Sequence, residues 1–194
     1  MWKKIKMKMN KIILLLIGAL SLLLTACSPT KLNYQIDPDF SKLAPLVKGN
    51  EIIFVSVSDN RIASNTSIQN SLIKADIPDK DALKTKLTQY LKDNQHKIIN
   101  RVLLADLGLE IKIQSLELLL ESGTFKSKLS AKSTLEIIIH KKSNQWSKVY
   151  KASRVQEVAT PVNNLDTTGV INQMLTKQFE SIFTDAELSN FISN

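Results

Sequence analysis

The sequence contains few residues whose type and spacing could support chemistry. Its single cysteine, Cys27, follows an apolar run, and its two histidines, His96 and His140, lie far apart in the chain. A zinc site would need Asp or Glu ligands at converging positions, and no spacing indicates them. The sequence has no Gly-x-Ser-x-Gly elbow and no glycine-rich loop before a helix. We therefore expect no catalytic residues, no metal and no enzymatic activity.

Asp59 and Arg61 are the most informative charged pair. They follow a β-branched segment, and residues i and i+2 of a strand point the same way, so the carboxylate and the guanidinium could pair. One interpretation is a salt bridge at the strand end, worth under about 1 kcal/mol. The other is a recognition groove for a partner. That groove would be lined by Asp59, Arg61, Tyr150 and Glu157.

The N-terminus has the three-part layout of a secretory signal. Residues 3–11 include five lysines, residues 12–24 are apolar, and the small residues Thr25 and Ala26 follow. The apolar run has 13 residues, whereas a membrane-spanning helix needs about 20. We expect residues 1–26 to be a signal peptide that is removed.

Residues 24–27, Leu-Thr-Ala-Cys, resemble a bacterial lipobox. In that class the cysteine thiol receives a diacylglyceryl group, the chain is cut before it, and the new N-terminus is acylated. Two or more acyl chains hold a protein stably on a bilayer, whereas one does so only marginally. The resemblance implies that Cys27 is the lipidation site, that covalent lipid takes the place of a cofactor, and that the lipid bilayer is a partner. Ser28, rather than Asp, implies the periplasmic face of the outer membrane by resemblance to the enterobacterial sorting rule.

Composition indicates one globular domain after this signal. The chain has 194 residues, of which 43% are hydrophobic, and a net charge of +8. The predicted signal contains five of the positive charges and no acid, so the remainder carries +3, which is too mild to predict nucleic-acid binding. Residues 27–50, with Pro29, Pro38 and Pro45, are expected to form the acylated cysteine and a tether. Residues 51–194 are expected to form a single α+β domain.

The first half of that domain shows one clear strand and one clear helix. Residues 52–58 are rich in β-branched side chains and predict a strand. Residues 60–76 are rich in Ser, Asn and Thr and predict an irregular excursion, with room for a short strand around residues 68–73. Pro78 and Asp79 then begin a helix. Its apolar residues have helical spacing: Leu83, Leu87, Tyr90 and Leu91.

Beyond that helix the pattern changes to period 2. Apolar residues occupy odd positions up to Ile113 and even positions from Leu116, so the strand needs a bulge near Ser115. Two more long strands follow, after turns at Gly123 and at residues 141–145. Three consecutive strands with short connections predict an antiparallel meander with one polar face.

Two helices complete the predicted fold. Asp166 or Thr168 is expected to cap the first, and Asp185 the second. The simplest packing places the helices on the apolar face of the sheet. The predicted fold class is therefore α+β, an antiparallel sheet with a three-strand meander and helices packed on one face.

An ordered set of motifs resembles the YajG-type family of bacterial lipoproteins over nearly the whole chain. These motifs are the lipobox, Asp59-Asn60-Arg61, Tyr150-Lys151-Ala152-Ser153 followed by Glu157, Ile171-Asn172 before Leu175-Thr176, and Asp185, Leu188 and Phe191-Ile192. The resemblance implies a fold, an anchor and a compartment, and it implies no catalytic residues.

Two functional interpretations follow. The first is a non-catalytic binding or assembly module of the cell envelope, tethered to the outer membrane, whose partner is an envelope protein or polymer. The alternative is a carrier of a lipid or other amphiphile in a cavity between the sheet and the helices. An apolar cavity of at least about 300 Å³ would favour the carrier, and a filled core would count against it.

Overall fold

The computed structural model describes residues 32–47, 49–61, 74–75 and 79–194. The predicted signal, and the short strand expected around residues 68–73, lie outside these ranges. In chain order the elements are β1 (Asn33–Tyr34), β2 (Ile52–Asp59), β3 (Lys74–Ala75), α1 (Asp79–Asp93), β4 (Lys97–Ile99), a 3₁₀ turn (Val102–Leu104), β5 (Leu107–Glu121), β6 (Lys126–Lys141), β7 (Asn144–Ala159), α2 (Asn164–Phe183) and α3 (Ala186–Ser193).

The main sheet is mixed. Its strand order is β4-β2-β5-β6-β7, with β2 parallel to both β4 and β5. Strands β5, β6 and β7 form the predicted antiparallel meander, which is confirmed. The prediction of an antiparallel sheet throughout is wrong. The reason is that α1 connects β2 to β4 as a crossover, which makes those strands parallel, and β5 enters on the other side of β2 in the same direction.

The predicted bulge in β5 is confirmed. The register between β5 and β6 shifts between Ile113 and Ser115. Because of this extra residue, Ile113 before the bulge and Leu116 after it are both buried on the helix-covered face. The opposite face, which we call the open face, carries polar residues such as Lys112 and Lys128.

The helices pack on one side of the sheet, and four aromatic rings join them to the N-terminal segment. Phe40 contacts Tyr90 of α1 and Phe179 of α2, with ring centroids 5.8 Å and 4.9 Å apart. Tyr90 and Phe183 lie 5.5 Å apart. Edge and offset ring contacts of this kind stabilise a core beyond their buried area.

Residues 32–47 differ from the expected tether because they pack into the domain. Within them Tyr34, Ile36, Phe40, Leu43, Leu46 and Val47 are buried. Alternate backbone N–H groups donate to side chains spaced four residues apart on α2. These pairs are Asn33 with Asn164 (3.0 Å), Gln35 with Thr168 (3.2 Å), Asp37 with Asn172 (2.8 Å) and Asp39 with Thr176 (2.9 Å).

The spacing of the N–H donors along residues 33–39 matches the spacing of the acceptors along α2. Two extended residues advance about 6.6 Å, and four helical residues advance about 6 Å. We call residues 33–39 the strap. It runs along α2 from the helix N-terminus towards its C-terminus.

Helix α2 begins earlier than expected. Asn163 is the N-cap, and its side chain accepts hydrogen bonds from the N–H groups of Leu165 and Asp166. Asp166 in turn accepts from the N–H of Asn163, which completes a capping box. Asp166 and Thr168 are therefore not the cap, whereas Asp185 caps α3 as predicted.

Candidate functional site

Arg61 lies at the centre of a partly buried ionic cluster. Its Nε donates to Asp59 Oδ1 at 2.8 Å and its Nη1 lies 2.7 Å from Asp79 Oδ2, while its Nη2 pairs with Asp59 Oδ2. The Tyr34 hydroxyl also donates to Asp79 Oδ2, at 3.2 Å. We call these four residues the Arg61 cluster. It ties β1, the end of β2 and the start of α1 together.

Burial differs across the Arg61 cluster and shifts its pKa values. The side chains of Arg61 and Asp59 are 26% and 29% exposed, but that of Asp79 is only 3% exposed. Burial raises the pKa of Asp79, and the nearby charge of Arg61 offsets only part of this effect. Hydrogen bonding to Arg61 lowers the pKa of Asp59. Burial raises the pKa of Tyr34, and the neighbouring Asp79 raises it further.

The geometry of the Arg61 cluster indicates a structural role, in which Arg61 holds neighbouring elements together, and we call this role the brace. All three guanidinium nitrogens of Arg61 contact carboxylate oxygens of Asp59 or Asp79. A ligand carboxylate or phosphate that replaced the contact with Asp79 would leave a buried charge without its partner. Because Asp79 is nearly inaccessible, removing Arg61 should cost more than the loss of the exposed salt bridge expected from the sequence.

Tyr150 belongs to a second polar cluster on the helix-covered face. Its hydroxyl donates to Asp185 Oδ2 at 2.8 Å, and Lys148 Nζ lies 2.9 Å from both Asp185 Oδ2 and Glu187 Oε2. Burial alone would raise the pKa of Asp185, but hydrogen bonds from Lys148, Tyr150 and the α3 backbone lower it to about 2. This cluster fixes the N-terminus of α3 to β7.

Glu157 lies on the open face of β7 and is exposed. It pairs with Lys126 at 3.1 Å across the strands. Tyr150 and Glu157 are seven residues apart on one continuously paired strand, so their side chains point to opposite faces.

The four residues predicted for a recognition groove therefore do not form one. Asp59 and Arg61 are in contact. Asp59, Ile113, Leu135 and Tyr150 occupy one row across four strands, which places Asp59 about 14 Å from Tyr150. A partner-binding role for each residue singly stays a prediction.

An exposed apolar loop lies between β4 and β5, outside the predicted site residues. Val102, Leu103 and Leu104 are 44%, 94% and 63% exposed. The loop returns from β4 to β5 over the open face, since a Cβ atom added to Gly108 would lie 3.4 Å from Val102 Cγ2. Three consecutive apolar residues without strand or helix periodicity were the signal in the sequence.

Backbone and side-chain hydrogen bonds form this turn and join its C-terminal end to β2. Ala105 N–H donates to Val102 O at 3.1 Å, and Leu104 N–H donates to Arg101 O at 3.2 Å. Asp106 accepts from the N–H of Ile52 at 2.9 Å and donates its own N–H to Ile52 O at 2.8 Å. The exposed side chains are therefore presented by an ordered turn at the start of β5.

An open pocket of about 500 Å³ adjoins the loop. Its lining is Ile52, Lys97, Ile99, Asn100, Arg101 and Leu104. Ile52 and Ile99 share the open face of adjacent strands β2 and β4. We call Val102–Leu104 together with this pocket the apolar loop site.

The histidines are not brought together. His96 is buried between α1 and β4, and burial lowers its pKa. His140 lies on the open face, 3.6 Å from Glu110. Across the described ranges, no three His, Cys, Asp or Glu side chains converge as metal ligands would.

The described residues form a small α+β domain, a mixed sheet covered on one face by helices. The chain belongs to a family described as "Uncharacterized lipoprotein", which matches residues 38–193. This match confirms the lipoprotein resemblance carried by the sequence motifs. No curated protein matches the sequence. In the part of the chain that the structure describes, no helix is long and apolar enough to cross a membrane.

Several solved structures are similar at low identity. A protein from Xanthomonas campestris is 15% identical, covers 83% of this chain and 97% of its own, and has a TM-score of 0.49. Rare lipoprotein B from Shewanella oneidensis is 12% identical, with coverages of 72% and 93% and a TM-score of 0.36. A lipoprotein from Neisseria meningitidis is 8% identical, with coverages of 71% and 100% and a TM-score of 0.35. The family assignment rests on the sequence match alone.

Proposed function

We propose that this lipoprotein is held on the periplasmic face of the outer membrane by acyl chains on Cys27 and acts as a non-catalytic binding or assembly module of the cell envelope. The observation that carries the proposal is the exposure of Val102, Leu103 and Leu104 on an ordered turn. The partner bound there is an envelope protein with a complementary apolar surface.

The exposed apolar loop favours a protein partner over a polysaccharide. Burying an exposed leucine side chain contributes about 1.5 to 3 kcal/mol, and Leu103 and Leu104 can both lose solvent contact on docking. The adjoining pocket adds the apolar side chains of Ile52 and Ile99. Interface centres combine apolar anchors in this way, with Arg among the favoured polar residues. Arg101 lies directly beside the loop.

The carrier function is less well supported. The pocket between β7 and α2 measures about 200 Å³, below the range of about 300 to 1,000 Å³ typical of ligand sites. Core side chains between the sheet and the helices, such as Leu129, Ile137 and Phe179, are at most 1% exposed. The space in which a lipid would be held is filled in this part of the domain.

Site-specific photocrosslinking tests the binding proposal. A photoreactive amino acid at Leu103 is expected to yield a discrete crosslinked envelope protein in intact cells. The same amino acid at Val155, an exposed position on the open face of β7, serves as the control because Val155 is 59% exposed. Identical crosslinked products from both positions, or none from Leu103, would refute a binding site at the loop.

A substitution gives the corresponding energetic test. Leu103→Asp should reduce affinity capture of the partner identified by crosslinking about 10-fold or more, the equivalent of about 1.4 kcal/mol. Its melting temperature should stay near that of the unchanged protein, since surface substitutions seldom shift stability by more than about 0.5 kcal/mol. The comparison is made in detergent against Leu165→Asp, so that no bilayer contact contributes.

A further inference from the structure

We propose that one end of the domain, defined by Asn33, Phe125 and Leu165 and called the anchored end, lies against the membrane with Phe125 and Leu165 inserted at the lipid–water boundary. The proposal rests on the acyl anchor of the proposed function. It adds an orientation and a second contact, made by protein side chains with the bilayer.

The position of the strap sets where the lipid can be. Asn33 N–H donates to Asn164 Oδ1 at 3.0 Å, and the Thr167 hydroxyl donates to Asn33 O at 2.6 Å. The domain therefore begins beside the first turn of α2. Cys27 precedes Leu32 by five residues, which span at most about 18 Å when fully extended. The acylated residue is thus tied to this end of the domain by a short chain.

Two large apolar side chains stand out at the same end. Phe125, in the connection between β5 and β6, is 85% exposed, and Leu165, in the first turn of α2, is 82% exposed. Thr160 N–H donates to Phe125 O at 3.2 Å, and Leu165 follows Thr160 by only five residues. Neither side chain contributes to the core. Both are placed where they can enter a membrane interface.

The charged side chains near Phe125 are paired with each other, which favours contact with uncharged lipid headgroups. Lys126 pairs with Glu157 at 3.1 Å, and Lys128 pairs with Glu121 at 3.4 Å. With these lysines paired, their charges are balanced, and Phe125 and Leu165 supply the apolar contact at this end. It is expected to depend little on anionic lipid or on salt.

The length of the meander separates the anchored end from the apolar loop site. Strand β6 has 16 residues, and at about 3.3 Å per residue it spans about 50 Å. Lys126 begins this strand at the anchored end, and His140 pairs with Gly108, next to Val102, at the other. The segment from Cys27 to Leu32, at most about 18 Å long, is much shorter than this distance. In the proposed orientation the apolar loop site therefore faces away from the bilayer.

Depth-dependent fluorescence quenching tests the orientation directly. Trp146 is the only tryptophan after residue 26, so the mature acylated protein with Trp146→Phe is a background without tryptophan. Phe125→Trp, Leu165→Trp and the control Leu103→Trp are each introduced into it, and a melting curve checks that each folds. The proteins are reconstituted on phosphatidylcholine vesicles, with and without bromine atoms on the acyl chains.

The expected result is selective quenching. Brominated lipid should reduce the fluorescence of the Phe125→Trp and Leu165→Trp proteins by about half or more, as expected for residues 5 to 10 Å deep at the boundary. The Leu103→Trp protein should be unaffected. Equal quenching at all three positions would show a domain lying flat and would overturn the proposal, as would vesicle-bound protein with no quenching at Phe125→Trp and Leu165→Trp. Failure of the acylated protein to float with vesicles would instead refute the acyl anchor and this orientation together.

Discussion

Replacing Arg61 with alanine should destabilise the domain by about 2 to 3 kcal/mol. An exposed ion pair contributes about 0 to 1 kcal/mol, and breaking a buried pair costs about 3 to 5 kcal/mol. The Arg61 guanidinium is 26% exposed, but the Asp79 carboxylate that it leaves behind is 3% exposed. The expected loss therefore lies between the two limits and above the value predicted from sequence.

The destabilisation should become smaller at acidic pH. Burial already raises the pKa of Asp79, and loss of the Arg61 charge raises it further. A carboxyl whose pKa is higher in the folded state binds more protons there, so lowering the pH through the folded pKa towards about 4 relieves the penalty. Arg61→Ala should thus lose most stability at neutral pH and least near pH 4.

Urea unfolding followed by circular dichroism measures these differences. Arg61→Ala/Asp79→Asn should recover at least about half of the loss, because the coupling between contacting residues is removed with both charges. Asp59→Ala should cost about 1 kcal/mol or less, since this carboxylate is 29% exposed. A loss below about 1 kcal/mol for Arg61→Ala, or additive effects in the double variant, would refute the brace. Weaker partner crosslinking at Leu103 in the Arg61→Ala protein would indicate that Arg61 also affects binding.

Two further predictions concern α3 and the anchor. Hydrogen bonds lower the pKa of Asp185 to about 2, so its contribution to stability should be present above about pH 4 and be lost as the pH falls towards 2. Asp185→Asn keeps a good N-cap, so it should lower the free energy of unfolding by about 1 to 2 kcal/mol at pH 7 and by little at pH 2. Urea unfolding at the two pH values measures the difference. An equal loss at both would contradict the assigned pairing with Lys148. Cys27→Ser should abolish palmitate labelling of the protein and removal of its signal peptide. Palmitate label on the Cys27→Ser protein would refute the assignment of Cys27 as the lipidation site.

Periodicity in the sequence was sufficient to predict the local elements. The β-branched run gave β2, the spacing after Pro78 gave α1, and the change of parity after Ile113 gave the bulge. Each of these signals depends on which side of one element is buried. Strand direction leaves no such signal, which is why the parallel pairing of β2 with β5 was missed.

The Arg61 cluster and the strap were harder to predict because they join distant residues. Tyr34 and Asp79 are 45 residues apart, and Asn33 and Asn164 are 131 residues apart. The prolines in residues 27–50 suggested a tether, and they outweighed a period-2 alternation of buried Tyr34, Ile36, Pro38 and Phe40 with exposed polar residues. Asn172 and Thr176, present in the family motifs, gain a structural explanation as side chains that accept hydrogen bonds from the strap.

Pairing within the fold distinguishes the residues that stabilise this domain from those available for recognition. Arg61 and Lys148 each contact two carboxylates, so their charges are already paired within the fold. Contact with a partner or a bilayer would displace only water from the exposed side chains of Leu103 and Phe125. The apolar loop site and the anchored end are therefore better supported as contact surfaces than the ionic residues selected from sequence. They lie at opposite ends of a strand about 50 Å long, which would let one domain contact the membrane and a partner at the same time.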